Sequence, residues 1–138
     1  MGAVYDAAAK VECVHVGWRG WWMVFLCVVL GGAAGAMARF GLGGWVHARR
    51  PHFPYATLAI NVTGAFLLGV ALPLLAAHPV LRALVATGFL GAYTTFSTFS
   101  LETVLLLQSG QRRQAAAYVA SSIVLGVVAS ALGSWLVG

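Results

Sequence analysis

The chain has 138 residues, of which 61% are hydrophobic and only 8% are charged, and its mean hydropathy is +0.90. An ordinary soluble domain is about 45–50% apolar and about 25% charged, so this composition excludes a soluble domain and indicates a membrane protein. The net charge of +5 does not indicate nucleic-acid binding, because the arginines stand in or beside the gaps between apolar runs and build no basic face.

The amino-terminal segment is mixed and polar compared with the rest of the chain. We therefore predict a disordered extension over residues 1–19 and a membrane domain over residues 20–138. A less favoured alternative is a secretory signal, because Lys10 and Arg19 precede an apolar run that ends in the small residues GGAAGAMA. Cleavage of such a signal would leave three membrane spans instead of four.

Four apolar segments are long enough to cross a hydrocarbon core about 30 Å thick, which needs about 20 residues of helix. They cover residues 20–38, 55–77, 81–107 and 114–137. The connections GLGGWVHARRPHF, HP and SGQRR contain the glycine, proline and charge that are typical of surface turns. The sequence thus predicts an all-α membrane protein with four transmembrane helices and short loops.

Small residues four positions apart allow helices to approach closely. Gly31 and Gly35 have this spacing in the first span, and Ser122, Gly126 and Ser130 have it in the fourth. The spacing is compatible with contacts between subunits and with contacts inside one chain. We expect an oligomer on other grounds, because four thin helices leave little room for a polar route shielded from lipid.

Positive charges divide weakly between the two sides of the predicted membrane domain. One side has Lys10, Arg19 and Arg82, and the other has Arg39, Arg49, Arg50, Arg112 and Arg113. A split of three against five gives little preference for one orientation. Two copies in opposite orientations are therefore compatible with the sequence.

Polar residues inside the spans carry the functional signal, because each is expensive in hydrocarbon and tends to face a partner or a water-filled path. Thr57 and Asn61 lie one helical turn apart on the second span, and Tyr118 and Ser122 do the same on the fourth. Asn61 supplies amide donors, and the hydroxyls can donate or accept hydrogen bonds.

In the stretch GFLGAYTTFSTFSLET, residues 88–103, five hydroxyl residues surround Phe96 and Phe99, namely Thr94, Thr95, Ser97, Thr98 and Ser100. Gly88 and Gly91 weaken the helix before Thr94, and a break at membrane depth is tolerated only inside protein or along a cavity. The freed carbonyls can bind a cation, and the freed N–H groups can bind an anion. Phe96 and Phe99 can present positive ring edges to an anion. Alternatively, the rings only pack and the hydroxyls bond to their own helix.

This stretch resembles the signature of the fluoride channel family called Fluc or CrcB, Gly-Phe-x-Gly-x-x-Thr-Thr-Phe-Ser-Thr-Phe-Ser-x-Glu. GGAAGAMARF is similar to the family's first-helix segment, and FPYATLAINVTGAFLLG is similar to its second-helix segment with Thr-Leu-x-x-Asn-x-x-Gly. The resemblance covers residues 31–133 and leaves residues 1–20 outside. Ala56 departs from the pattern, since the family usually has glycine there.

The resemblance implies an antiparallel, dual-topology homodimer with two pores. It implies that each pore is lined or bordered by Asn61, Phe96, Phe99, Tyr118 and Ser122, with Thr95 and Thr98 as further donors. Asn61 would donate to the anion, and the two phenyl rings would present their edges. The resemblance also implies a structural sodium ion at the dimer interface, held by backbone carbonyls of Gly91 and Thr94. Arg39 and Glu102 match positions near the pore ends, where either vestibule attraction or helix anchoring fits.

The function implied is a passive fluoride-selective channel in the cell inner membrane that exports cytoplasmic fluoride and lowers its concentration. The main alternative is a small dual-topology, proton-coupled multidrug exporter. Such an exporter needs a membrane-embedded carboxylate, and only Glu102, late in the third span, is available. An enzyme is not expected, because no nucleophile, base and orienting group and no metal cluster can be assembled from these residues.

Overall fold

The computed structural model describes residues 18–47 and 53–137, which are helical and contain no strand. The helices are α1 (Trp18–His47), α2 (Tyr55–Leu74), α3 (Pro79–Arg82), the π-helix π1 (Ala83–Leu90), α4 (Gly91–Tyr93), α5 (Phe96–Gln108) and α6 (Arg112–Val137). Most of the predicted amino-terminal extension, residues 1–17, lies outside the described residues. Its last two residues form the start of α1.

Three helices of the described chain are long and apolar enough to cross a membrane, namely Gly20–Trp45, Tyr55–Leu74 and Arg112–Val137. They correspond to the predicted first, second and fourth spans. The predicted third span is not one helix, because it is divided into α3, π1, α4 and α5. The protein is a multi-pass membrane protein with an interrupted helix between its second and last long helices.

The end of the first span was predicted wrongly. Residues 41–47, which include the sequence GLGG, continue α1 instead of forming a loop. Each glycine costs a helix only about 1 kcal/mol relative to alanine. An unsatisfied backbone group near the membrane costs several kcal/mol, so continued helical hydrogen bonding outweighs the glycine penalty.

Close packing inside the chain uses glycines on two pairs of helices. A Cβ at Gly31 would collide with the carbonyl oxygen of Leu84, and one at Gly35 would collide with that of Phe89, so α1 lies directly on π1. On the other side, Gly69 and Gly133 allow the same approach between α2 and α6. The Gly31 and Gly35 contacts therefore lie within one chain and give no support to a dimer.

The helix break lies at Thr94 and Thr95. Thr94 has φ −75° and ψ 157°, and Thr95 has φ −146° and ψ 118°, so both residues are extended. Gly88 and Gly91, which suggested the break, are themselves helical. The Thr95 hydroxyl accepts a hydrogen bond from the Thr98 N–H at 3.2 Å and thereby caps the start of α5.

Apolar side chains cover much of the outer surface, as expected for a chain surrounded by lipid. Phe25, Leu101 and Trp135 are among the exposed large side chains. A small buried cluster of Leu106, Ala115 and Tyr118 joins α5 to α6. This cluster lies near the turn between α5 and α6 and packs the end of α5 against the last helix.

Candidate functional site: the helix break and its two cavities

Asn61 of α2 holds the extended backbone of the break. Its side-chain oxygen accepts from the Thr95 N–H at 2.8 Å, and its amide nitrogen donates to the Thr95 carbonyl at 3.1 Å. The amide thus pairs with both backbone groups of one residue, as a neighbouring strand would. The sequence predicted that Asn61 donates to an anion. The structure shows that one of its two amide protons is already engaged by Thr95.

One cavity, which we call the Phe cavity, lies beside the break. Its wall includes Asn61, Gly91, Thr94, Thr95, Phe96, Phe99 and Ser122. Five of the seven predicted pore residues therefore meet at one place. Tyr118 and Thr98 are not among the described residues that line this cavity.

Phe96 and Phe99 lie next to each other at this cavity. Their ring centroids are 5.8 Å apart and their planes make an angle of 38°. Phe96 is 79% exposed in the single chain, whereas Phe99 is half-buried and contacts Tyr118 with a centroid distance of 5.2 Å. The role of both rings in a pore stays a prediction.

A second cavity, which we call the Arg39 groove, lies between α1, α2 and α5. Its wall includes Arg39, Thr57, Thr95, Thr98 and Glu102. Thr95 therefore borders both cavities. Arg39 also donates to the Thr94 carbonyl at 3.4 Å, which is a long and weak hydrogen bond. Arg39 thus lines a groove and contacts the break, and its role in vestibule attraction or helix anchoring stays a prediction.

Glu102 accepts a hydrogen bond on each carboxylate oxygen. The Thr57 hydroxyl donates to Oε1 at 2.9 Å, and the Tyr118 hydroxyl donates to Oε2 at 2.7 Å. Thr57 and Tyr118 are 4% and 0% exposed, so both donors are buried. This connection between α2, α5 and α6 was not predicted from the sequence. The lone acid in an apolar span could have indicated it, because such a group needs hydrogen-bond donors from neighbouring helices.

Several hydroxyls bond to their own helix, as the packing alternative expected. Thr94 donates to the Leu90 carbonyl at 3.0 Å, Ser100 to that of Phe96 at 2.9 Å, and Ser122 to that of Tyr118 at 2.7 Å. Thr95 is different, because its hydroxyl lies 3.0 Å from that of Thr98 and 3.3 Å from that of Ser97. A small polar cluster therefore stands at the start of α5.

Side-chain metal ligands do not gather in the described residues, where no group of three or more His, Cys, Asp and Glu occurs. Backbone oxygens are the available ligands. Because α4 ends at Tyr93, the carbonyls of its last turn, Gly91 included, lack N–H partners from a continuing helix. Unwound carbonyls of this kind coordinate sodium in membrane proteins.

Comparison with known proteins decides the family. The family model described as CrcB-like protein, Camphor Resistance (CrcB), matches residues 26–134. The chain belongs to the CrcB family. The matched region includes α2, the break, both phenylalanines, Glu102 and most of α6, and it confirms the resemblance read from the three sequence stretches.

Several curated proteins similar to this CrcB-family chain are named as fluoride-specific ion channels. A protein named fluoride-specific ion channel FluC from Acidobacterium capsulatum is 52% identical over 116 residues, which cover 80% of this chain and 93% of that relative. Proteins with the same name from Hahella chejuensis and from Hydrogenobaculum sp. are 47% and 41% identical. The alignment with the Hahella protein covers 77% of this chain and 87% of that relative. The alignment with the Hydrogenobaculum protein covers 84% of this chain and 98% of that relative.

Proposed function

We propose that this CrcB-family chain forms a passive, fluoride-selective channel that exports cytoplasmic fluoride. The observation that carries the proposal is the Phe cavity, where Phe96, Phe99, Asn61 and Ser122 meet at a helix break, in a chain whose relatives are named fluoride-specific ion channels. The wall of the cavity offers the second amide proton of Asn61 and the two phenyl rings, and Arg39 lies in the neighbouring groove.

The chemistry of this wall suits a small, strongly hydrated anion. Such an ion leaves water only if several donors replace its hydration shell, and it passes on only if no single group holds it too tightly. Phenyl ring edges carry partial positive charge without a formal cation. The second amide proton of Asn61 adds a donor. Because Thr95 borders both cavities, we propose that the anion passes from the Arg39 groove along Thr98 to the Phe cavity.

We propose that the functional unit is an antiparallel, dual-topology homodimer of chains with four membrane spans each. In this arrangement the interrupted segment from α3 to α5 forms the third span. Phe96, 79% exposed in one chain, would be covered by the second copy. The surface at Gly91 is also open to a second copy, because a Cβ built there meets no described atom nearer than 3.9 Å. The weak charge split allows both orientations.

A structural sodium ion fits the break in this assembly. The carbonyls of Gly91 and Thr94 from both copies would hold it, and a hard cation accepts such oxygen ligands. Among the described residues, Arg39 makes a long contact of 3.4 Å with the Thr94 carbonyl, and a carbonyl oxygen has a second lone pair that can bind a cation. The ion would neutralise carbonyl dipoles that face each other across the dimer.

A passive pore is sufficient for export from the cell across the inner membrane. An interior-negative potential of about 100 mV is worth about 2.3 kcal/mol per elementary charge, or roughly fiftyfold at equilibrium. The proton-coupled exporter is not favoured. Its one candidate carboxylate, Glu102, already accepts hydrogen bonds from Thr57 and Tyr118 on both oxygens.

The deciding experiment is fluoride efflux from liposomes that contain the purified protein. The liposomes are loaded with fluoride, and a potential is set with potassium and an ionophore without a pH gradient. We expect fluoride release as electrical current, down to the level that the potential dictates, and much slower chloride release. A requirement for a proton gradient would instead indicate a coupled transporter, and equal chloride and fluoride rates would remove the selectivity claim.

A further inference from the structure

A pair of hydroxyl groups joins α2 to the end of α4, next to the break. The Thr63 and Tyr93 hydroxyl oxygens are 3.0 Å apart. Tyr93 is 7% exposed and stacks on Phe89, with centroids 6.0 Å apart and planes within 7° of parallel. Neither Thr63 nor Tyr93 is among the described residues that line the Phe cavity or the Arg39 groove.

The direction of this hydrogen bond follows from counting protons. A threonine hydroxyl has one proton to donate. Thr63 lies 2.7 Å from the Ala59 carbonyl and 3.1 Å from the Ile60 carbonyl, both of which can only accept. Its proton is therefore used inside α2, and the Tyr93 hydroxyl is the donor to the Thr63 oxygen. Without Tyr93, the Thr63 hydroxyl keeps its hydrogen bond inside α2. Without Thr63, the Tyr93 hydroxyl loses the acceptor of its proton.

The pair belongs to a set of three contacts between one turn of α2 and the break. Asn61 pairs with the backbone of Thr95, and Thr63 accepts from Tyr93. A Cβ at Gly64 would collide with the methyl group of Thr94, so the backbone of α2 packs directly against the break. Three consecutive residues, 93–95, are thus each held by a residue of α2.

We propose that the Tyr93–Thr63 pair is a positioning latch for the break, and this inference rests on the proposed channel function. Tyr93 is the last residue of α4, and Phe96 is the first residue of α5. A shift of Tyr93 away from α2 moves the Gly91 and Thr94 carbonyls and turns the Phe96 ring. The latch holds these groups in register with Asn61 without contacting the permeating ion.

The latch predicts an asymmetry between its two members. Thr63→Val removes the acceptor of the Tyr93 hydroxyl, whose side chain is 7% exposed, and an unpaired polar group is costly inside an apolar segment. We expect the time-averaged fluoride current per active channel to fall by roughly tenfold. Tyr93→Phe removes the donor as well, so no orphan group arises, and the current should fall by less than about threefold. The double variant should return to the level of Tyr93→Phe.

The assay separates positioning from folding. At low protein density, the fraction of liposomes that release fluoride counts active channels, and planar-bilayer recording gives the current through each. Ser134→Ala is the matched control, because it removes a hydroxyl bond from α6 to the Gly69 carbonyl of α2, 3.2 Å long, away from the break. We expect this control and Thr63→Ser to keep the parental current per channel.

Hydrogen exchange provides a readout that does not depend on fluoride. The backbone amides of residues 93–96 should exchange roughly tenfold faster in Thr63→Val than in the parent, and the double variant should suppress this change. The latch is wrong if Thr63→Val reduces only the number of active channels, or if the double variant is no better than Thr63→Val. A parent that carries no fluoride current overturns the proposed function, and the exchange data then decide the latch alone.

Discussion

Replacing Tyr118 by phenylalanine tests the hydrogen bonds that join α5 to α6. The change removes only the hydroxyl that donates to Glu102 at 2.7 Å, while the ring keeps its contacts with Phe53 and Phe99. A hydrogen bond to a charged group contributes about 1.5–3 kcal/mol, and Tyr118 is 0% exposed, so water cannot replace the lost donor. We expect a loss of about 2 kcal/mol in the free energy of unfolding.

For a chain of this size, that loss corresponds to a fall in melting temperature of roughly 5–12 °C. Thermal denaturation in detergent, followed by circular dichroism, measures it. Ser121→Ala is the control on the same helix, because Ser121 donates only to the Tyr118 carbonyl at 3.1 Å, and we expect it to cost less than about 0.5 kcal/mol.

A second pair of variants isolates the charge of Glu102. In a Glu102→Gln background the hydrogen bond becomes neutral, and Tyr118→Phe should then cost only about 1 kcal/mol. A melting temperature of Tyr118→Phe within about 2 °C of the parent would show that this hydrogen bond contributes little to stability. An equal loss beside glutamate and beside glutamine would show that the carboxylate contributes nothing to the bond.

The remaining predictions concern the cavity and the break. Phe96→Ile and Phe99→Ile should each reduce fluoride efflux at least roughly fivefold, if a ring edge is worth about 1 kcal/mol to an anion, and gel filtration should still show the dimer. Asn61→Asp should also reduce efflux, because a carboxylate repels both the Thr95 carbonyl and the anion. Parental efflux in all three would contradict the pore assignment. Gly91→Leu should instead abolish the dimer, measured by crosslinking, because the exposed face at Gly91 would meet the second copy.

The membrane environment, the starts of the long helices and the family can be read from the sequence alone. Apolar length and composition are local properties, so the spans beginning near Gly20, Tyr55 and Gln114 could be read directly, and the starts agree with the structure to within two residues. The motif from residue 88 to residue 103 indicated the family, which the match over residues 26–134 confirmed. It also located the break to within a few residues, although Gly88 and Gly91 themselves stay helical.

Which polar groups contact each other depends on how the helices pack. Asn61 pairs with Thr95 across 34 positions of the chain, and Thr57 pairs with Glu102 across 45, distances that no local periodicity can relate. The same holds for the glycines of the first span, whose spacing fitted a subunit interface equally well but whose partners are carbonyls of π1. Helical spacing states which side chains share a face. What a face contacts depends on how the helices pack, and in a membrane that packing is decided by small residues and buried polar groups on several helices at once.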